Sequence, residues 1–103
     1  MSKQWIEVGS IEDIPALGAR VIKTGQGQIA VFKALDGSIF ALHNRCPHRQ
    51  GPLSDGIVHG HKVTCPLHNW VIDLENGKAD APDNGCAPTV PLKVEEGVIF
   101  LKM

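Results

Sequence analysis

Two short arms, Cys46-Pro47-His48 and Cys65-Pro66-Leu67-His68, each offer one thiolate and one imidazole in the same order, with sixteen residues between the first His and the second Cys. If these donors act together, the chain around them must bring two loops side by side. A third cysteine, Cys86, falls outside both arms. An odd count argues against a disulfide framework, and cysteines set beside histidines at short spacing are more often metal ligands.

The chain has 103 residues, enough for one domain (1–103) but not for two independent cores. A net charge of −1 gives no reason to expect nucleic acid or a membrane surface as a partner. No run approaches the roughly eighteen apolar residues of a membrane span. The start, Met1-Ser2-Lys3-Gln4-Trp5, lacks the apolar stretch of a signal peptide, so a cytoplasmic location is expected.

The pattern is mostly β. Residues 5–8 and 20–23 read as short strands, with a helix start between them capped by Ser10 and closed by Asp13 before Pro15. Residues 28–35 and 38–42 flank Asp36-Gly37, a pair suited to the positive φ angles of a tight hairpin. A short β segment at 62–64 leads into the second arm, residues 70–74 leave it as a strand, and Asn76-Gly77 makes a turn. Residues 90–94 and 98–101 form a last hairpin across Glu95-Glu96-Gly97. The expected architecture is an all-β antiparallel sandwich or barrel, with residues 44–74 as an inserted cluster-binding subdomain.

The spacing of the first arm bears on which metal it suits. Residues i and i+2 of an extended chain have Cα atoms about 6.5 Å apart. Two ligands on one tetrahedral zinc must converge more closely, and zinc arms usually separate ligands by two to four residues. A two-iron cluster relaxes that demand, because the Cys and His of one arm bind different irons. Cys46 and Cys65 would then hold one iron, and His48 and His68 the other. Two thiolates offset the charge of an oxidised two-iron core, whereas four would leave it more negative and harder to reduce; His₂ ligation places such centres within roughly −150 to +300 mV. Such a site has no open position for substrate and moves electrons singly, so no catalytic residue is expected. Pro47 and Pro66 fix φ after each ligand Cys, Gly51 and Gly56 allow close backbone approach, and Trp70 is either a shield for the site or an ordinary core aromatic. Because Cys₂His₂ is also a standard zinc set, a zinc-stabilised interaction module stays open at this point.

Cys-x-His, sixteen residues, then Cys-x-x-His resembles the signature of the Rieske [2Fe–2S] family, and the likeness continues through Gly51-Pro52-Leu53-Ser54-Asp55-Gly56 and Asp73-Leu74-x-x-Gly77. The resemblance implies a Rieske-like fold, a [2Fe–2S] cofactor, and Cys46, His48, Cys65 and His68 as its ligands. In the respiratory branch each arm carries a further Cys; Gly51 and Leu67 stand at those places here. Trp70 and Ile72 stand where that branch has potential-raising hydroxyls, which implies the low-potential branch. The stretch Gly85-Cys86-Ala87-Pro88-Thr89-Val90-Pro91 resembles the small-subunit family of NAD(P)H-dependent nitrite reductases. That likeness implies a non-autonomous oxidoreductase subunit that relays electrons, with a large flavin and sirohaem subunit as partner, in reduction of nitrite to ammonia. The alternative is a free Rieske ferredoxin delivering electrons to an aromatic-ring oxygenase.

The remaining candidates have plainer readings. Cys86 is expected to be a small buried thiol. His59 and His61 flank Gly60 and read as exposed turn residues rather than a second metal site. His43 is expected to be polar surface or backbone-bonded. Arg45 and Arg49 bracket the first arm as solvated charge.

Overall fold

The computed structural model describes residues 4–25, 27–45, 52–65, 70–80 and 85–103. Among these residues nine strands and two single-turn 3₁₀ segments make up the regular structure, and the strand pairings are antiparallel. The strands are β1 (Trp5–Ser10), β2 (Ala19–Thr24), β3 (Gly27–Lys33), β4 (Ile39–His43), β5 (Ile57–His59), β6 (Lys62–Thr64), β7 (Val71–Asp73), β8 (Leu92–Glu95) and β9 (Val98–Lys102). They form three sheets of three, in the orders β1-β9-β8, β2-β3-β4 and β5-β6-β7. Among the described residues no helix is long and apolar enough to cross a membrane.

Sheet β2-β3-β4 is the middle layer. Successive side chains of a strand point to opposite faces, and β3 uses both. Ile29 and Val31 enter a core with Ile99 and Leu101 of β9, while Ala30 and Phe32 enter a second core with Val58, Val63 and Ile72 of the β5-β6-β7 sheet. In β4, Ala41 and Leu42 divide in the same way. The four consecutive buried residues Ile29–Phe32 thus mark a strand covered on both sides.

Local signals in the sequence explain several boundaries. Ser10 Oγ accepts from the Glu12 amide at 3.2 Å, and the Ser10 amide donates to Asp13 Oδ2 at 3.0 Å, so the expected cap is present. It starts only one 3₁₀ turn, Ile11–Asp13, because Pro15 disfavours helical backbone in the residue before it; Ile14 is extended at φ −113°, ψ 119°. The hairpin at Asp36-Gly37 is looser than expected. It is a five-residue loop, 34–38, in which Gly37 has positive φ and Asp36 Oδ1 caps the Ser38 amide at 2.9 Å. A two-residue turn with both φ angles positive occurs instead at Glu96 (50°) and Gly97 (78°), where Glu95 pairs with Val98. Strand β5 is not among the strands the sequence predicts; it is an edge strand whose pairing among the described residues is with β6.

The segment 85–91 is an extended strap across the molecule. The His43 amide donates to Pro88 O at 2.8 Å, Val90 N to Ala41 O at 3.0 Å, and Ala87 N to Gly77 O at 2.7 Å. A β-carbon on Gly77 would collide with the Ala87 carbonyl oxygen, and φ there is +76°. Ala87 and Val90 are the buried residues of this strap; Cys86, expected inside, is exposed with a free thiol. Ala87, the next residue, takes the inward position instead.

Candidate metal centre

The two arms grow from adjoining roots. The first follows β4. The Asn44 amide N–H donates to Gln28 O on β3 at 2.9 Å, and the exposed Arg45 donates its N–H to His43 O at 2.7 Å. Chain beyond the arm returns at Pro52 and enters the second 3₁₀ turn, Leu53–Asp55, whose Leu53 is fully buried. Between these two ends, Asn44 Oδ1 accepts from the Ser54 amide at 2.8 Å and Asn44 Nδ2 donates to Ser54 Oγ at 3.1 Å. One side chain therefore clasps the two ends of the arm together.

The second arm leaves β6 and returns as β7. Its root is a backbone bond, Cys65 N donating to Trp70 O at 2.7 Å. Cys65 is 1% exposed and belongs to the same core as Leu53, Val63 and Ile72, with Trp70 half-buried against it. Both roots thus rest on one apolar floor. Burial in apolar surroundings makes an unligated thiol inert towards solvent chemistry, which leaves packing or metal ligation as the role of Cys65.

Of the four expected ligands, Cys65 lies among the described residues. Cys46, His48 and His68 lie outside them, as do Pro47, Arg49, Gly51, Pro66 and Leu67. The donor set itself, two soft thiolates and two imidazoles, fits a His-ligated two-iron cluster. Among the described residues no three His, Cys, Asp or Glu side chains are placed to hold a metal ion.

His59 and His61 nonetheless have specific partners. His59 Nε2 lies 2.7 Å from Thr64 Oγ1 across the β5–β6 hairpin. His61 Nε2 lies 2.8 Å from Asp36 Oδ2, and its Nδ1 is 3.9 Å from Glu75 Oε1. Its ring also meets Phe40, with centroids 5.1 Å apart. The hydrogen bond to Asp36 raises the His61 pKa above its ordinary value. The Ser38 amide, then His61, hold Asp36 down at about 2. Lys62 Nζ meets Asp80 Oδ2 at 2.7 Å, which raises the lysine's pKa. Asp36 and His61 are 25 residues apart, so no local pattern signals the pair. The Asn44–Ser54 clasp did have a signal: two small polar residues just outside a ligand arm. His43 is half-buried and bonded through its backbone.

Residues 4–91 match the family model for the Rieske [2Fe–2S] domain. The ferredoxin component of the naphthalene 1,2-dioxygenase/salicylate 5-hydroxylase systems of Ralstonia sp. is 34% identical over 104 residues, covering 100% of this chain and 99% of that protein. Two solved structures show the same fold at 24% identity. A protein described as an NADH-dependent nitrite reductase small subunit from Mycobacterium tuberculosis has a TM-score of 0.86, covering 98% of this chain and 96% of the other. The Sphingomonas yanoikuyae B1 ferredoxin has a TM-score of 0.86, covering 97% and 99%. The matched signature, the buried Cys65 and the end-to-end likeness agree: this chain belongs to the Rieske [2Fe–2S] domain family, whose cofactor is a [2Fe–2S] cluster.

Proposed function

We propose that this chain is the ferredoxin component of an aromatic-ring oxygenase system, with its cluster held by the thiolates of Cys46 and Cys65 and the imidazoles of His48 and His68. The observation that carries the reading is the likeness to a ferredoxin component over the whole length of both proteins. Bound, a [2Fe–2S] cluster takes up and gives up one electron at a time. The chain's own part is to supply two thiolates that balance the charge of the core, to hold both arms at their roots, and to cover the floor with Leu53, Cys65 and Trp70. No residue here performs bond chemistry; the protein works as an electron carrier for a separate catalytic component.

The second reading is the small subunit of NAD(P)H-dependent nitrite reductase, relaying electrons to a large flavin and sirohaem subunit. It is supported by the fold of the mycobacterial protein and by the wording of residues 85–91. Both supports are weaker here. The ferredoxin fold matches equally well. The 85–91 strap also has a structural duty in this fold, bonding to β4 and to Gly77.

The two readings separate by partner. The protein is purified without oxygen, reduced with dithionite, desalted and mixed with either an aromatic-ring oxygenase component or a nitrite reductase large subunit. Rapid bleaching or recovery of the visible spectrum on mixing reports electron transfer. Transfer to the oxygenase is expected; transfer only with the nitrite reductase subunit would overturn the proposal. A colourless protein containing zinc would overturn the cluster itself, because iron–sulfur absorbance would be absent.

A further inference from the structure

Resting on the ligand assignment above, we propose that Asn44 is a positioning residue for the first ligand arm and acts through Ser54. Residues 44 and 54 stand on either side of Cys46 and His48 in the chain. The Asn44 amide is well used: Oδ1 accepts from Ser54 N at 2.8 Å, while Nδ2 donates to Ser54 Oγ at 3.1 Å and to Gln28 Oε1 at 3.3 Å. Its backbone N–H donates to Gln28 O at 2.9 Å. The side chain is therefore anchored to β3 on one side and to the Leu53–Asp55 turn on the other. Two bonds between one pair of residues set orientation as well as distance, so the arm's two ends are held at one separation and one angle.

That fixed base matters for the proposed cluster. Each iron receives one donor from each arm, so releasing it requires the arms to part. Losing the Asn44–Ser54 bonds frees the base of the arm, and each such bond is worth on the order of a fivefold factor in an equilibrium constant. Two lost together allow iron release to rise by roughly tenfold or more. A purely structural bond would lower stability alone; a positioning bond also alters the surroundings of the reduced cluster.

The test uses the loaded protein with Asn44→Leu, Asn44→Asp and Ser54→Ala. Three quantities are read: the rate of iron release to a ferrous chelator, the EPR spectrum after dithionite reduction, and the urea midpoint. Asn44→Leu is expected to release iron about tenfold faster and to shift the EPR g values. Asn44→Asp should restore both towards the parent, because its carboxylate still accepts from Ser54 N and the Ser54 hydroxyl can turn to donate. Parental iron release and EPR in Asn44→Leu would overturn the proposal, whether or not its urea midpoint falls. Should Asn44→Leu fail to fold, Ser54→Ala carries the test alone: release a few-fold faster supports the proposal, and an unchanged rate overturns it. A parent protein without iron is a different failure, that of the cluster reading.

Discussion

Gly56 lies so close to the Thr64 carbonyl oxygen that a β-carbon on it would collide with that atom, and the same β-carbon would sit 2.9 Å from Val63 Cγ2 and 3.1 Å from Leu53 O. Its φ of −79° is open to any residue, so glycine is needed here for space rather than for backbone freedom. The contact joins the chain leaving the first arm to the strand entering the second.

Gly56→Ala should therefore destabilise the fold. Overpacking a tight junction costs typically about 1–3 kcal/mol, and two of the three neighbours are backbone atoms that cannot rotate away. The urea midpoint of the variant should fall accordingly. A midpoint equal to the parent's would mean that the junction has room to relax.

Replacing either proposed thiolate should abolish the cluster. Cys46→Ser and Cys65→Ser are each expected to leave a colourless protein, whereas Cys86→Ser, at an exposed site on the strap, should keep the parental visible spectrum. Normal absorbance in Cys46→Ser or Cys65→Ser would sink the ligand assignment.

The His61–Asp36 contact should make stability depend on pH in a defined direction. His61 has a folded pKa above its ordinary 6.5, so its contribution is full below 6.5 and is lost as pH rises through the raised value. Asp36 has a folded pKa near 2 against an ordinary 3.8, so its contribution is full above 3.8 and is lost as pH falls through about 2. Both are present together between about 4 and 6.5. The Tm difference between the parent and His61→Gln should be largest in that window, shrink on either side of it, and weaken at high salt because both groups are exposed. A difference that does not vary with pH would remove the ion pair from the account.

Glu96 holds a left-handed backbone at φ 50° that favours Asn or Gly, and Gly97 follows at 78°. Glu96→Asn should relieve part of the left-handed penalty of about 1–2 kcal/mol and stabilise the β8–β9 hairpin, read as a higher Tm. An unchanged or lower Tm would show that Glu96 makes compensating contacts of its own.

By itself the sequence determined what local chemistry can dictate. Ser10 and Asp13 cap a turn that Pro15 then stops, Lys62–Thr64 forms a strand that leads into a ligand arm, and two matched Cys/His arms limit the cofactor to metals that take two thiolates and two imidazoles. These features depend on neighbours a few residues away, where backbone sterics and donor type are legible. Tertiary structure decided what depends on distant partners. It buried both faces of β3, turned Cys86 outward and Ala87 inward, set His61 against Asp36 across 25 residues, and clasped Asn44 to Ser54 at the base of the first arm. The 85–91 strap shows the same division: its wording suggested one subunit family, but its hydrogen bonds to Ala41, His43 and Gly77 give it a structural duty. A residue's type is written in the chain, whereas its partner is chosen by which surfaces bury together, and that choice is settled only when the sheets pack.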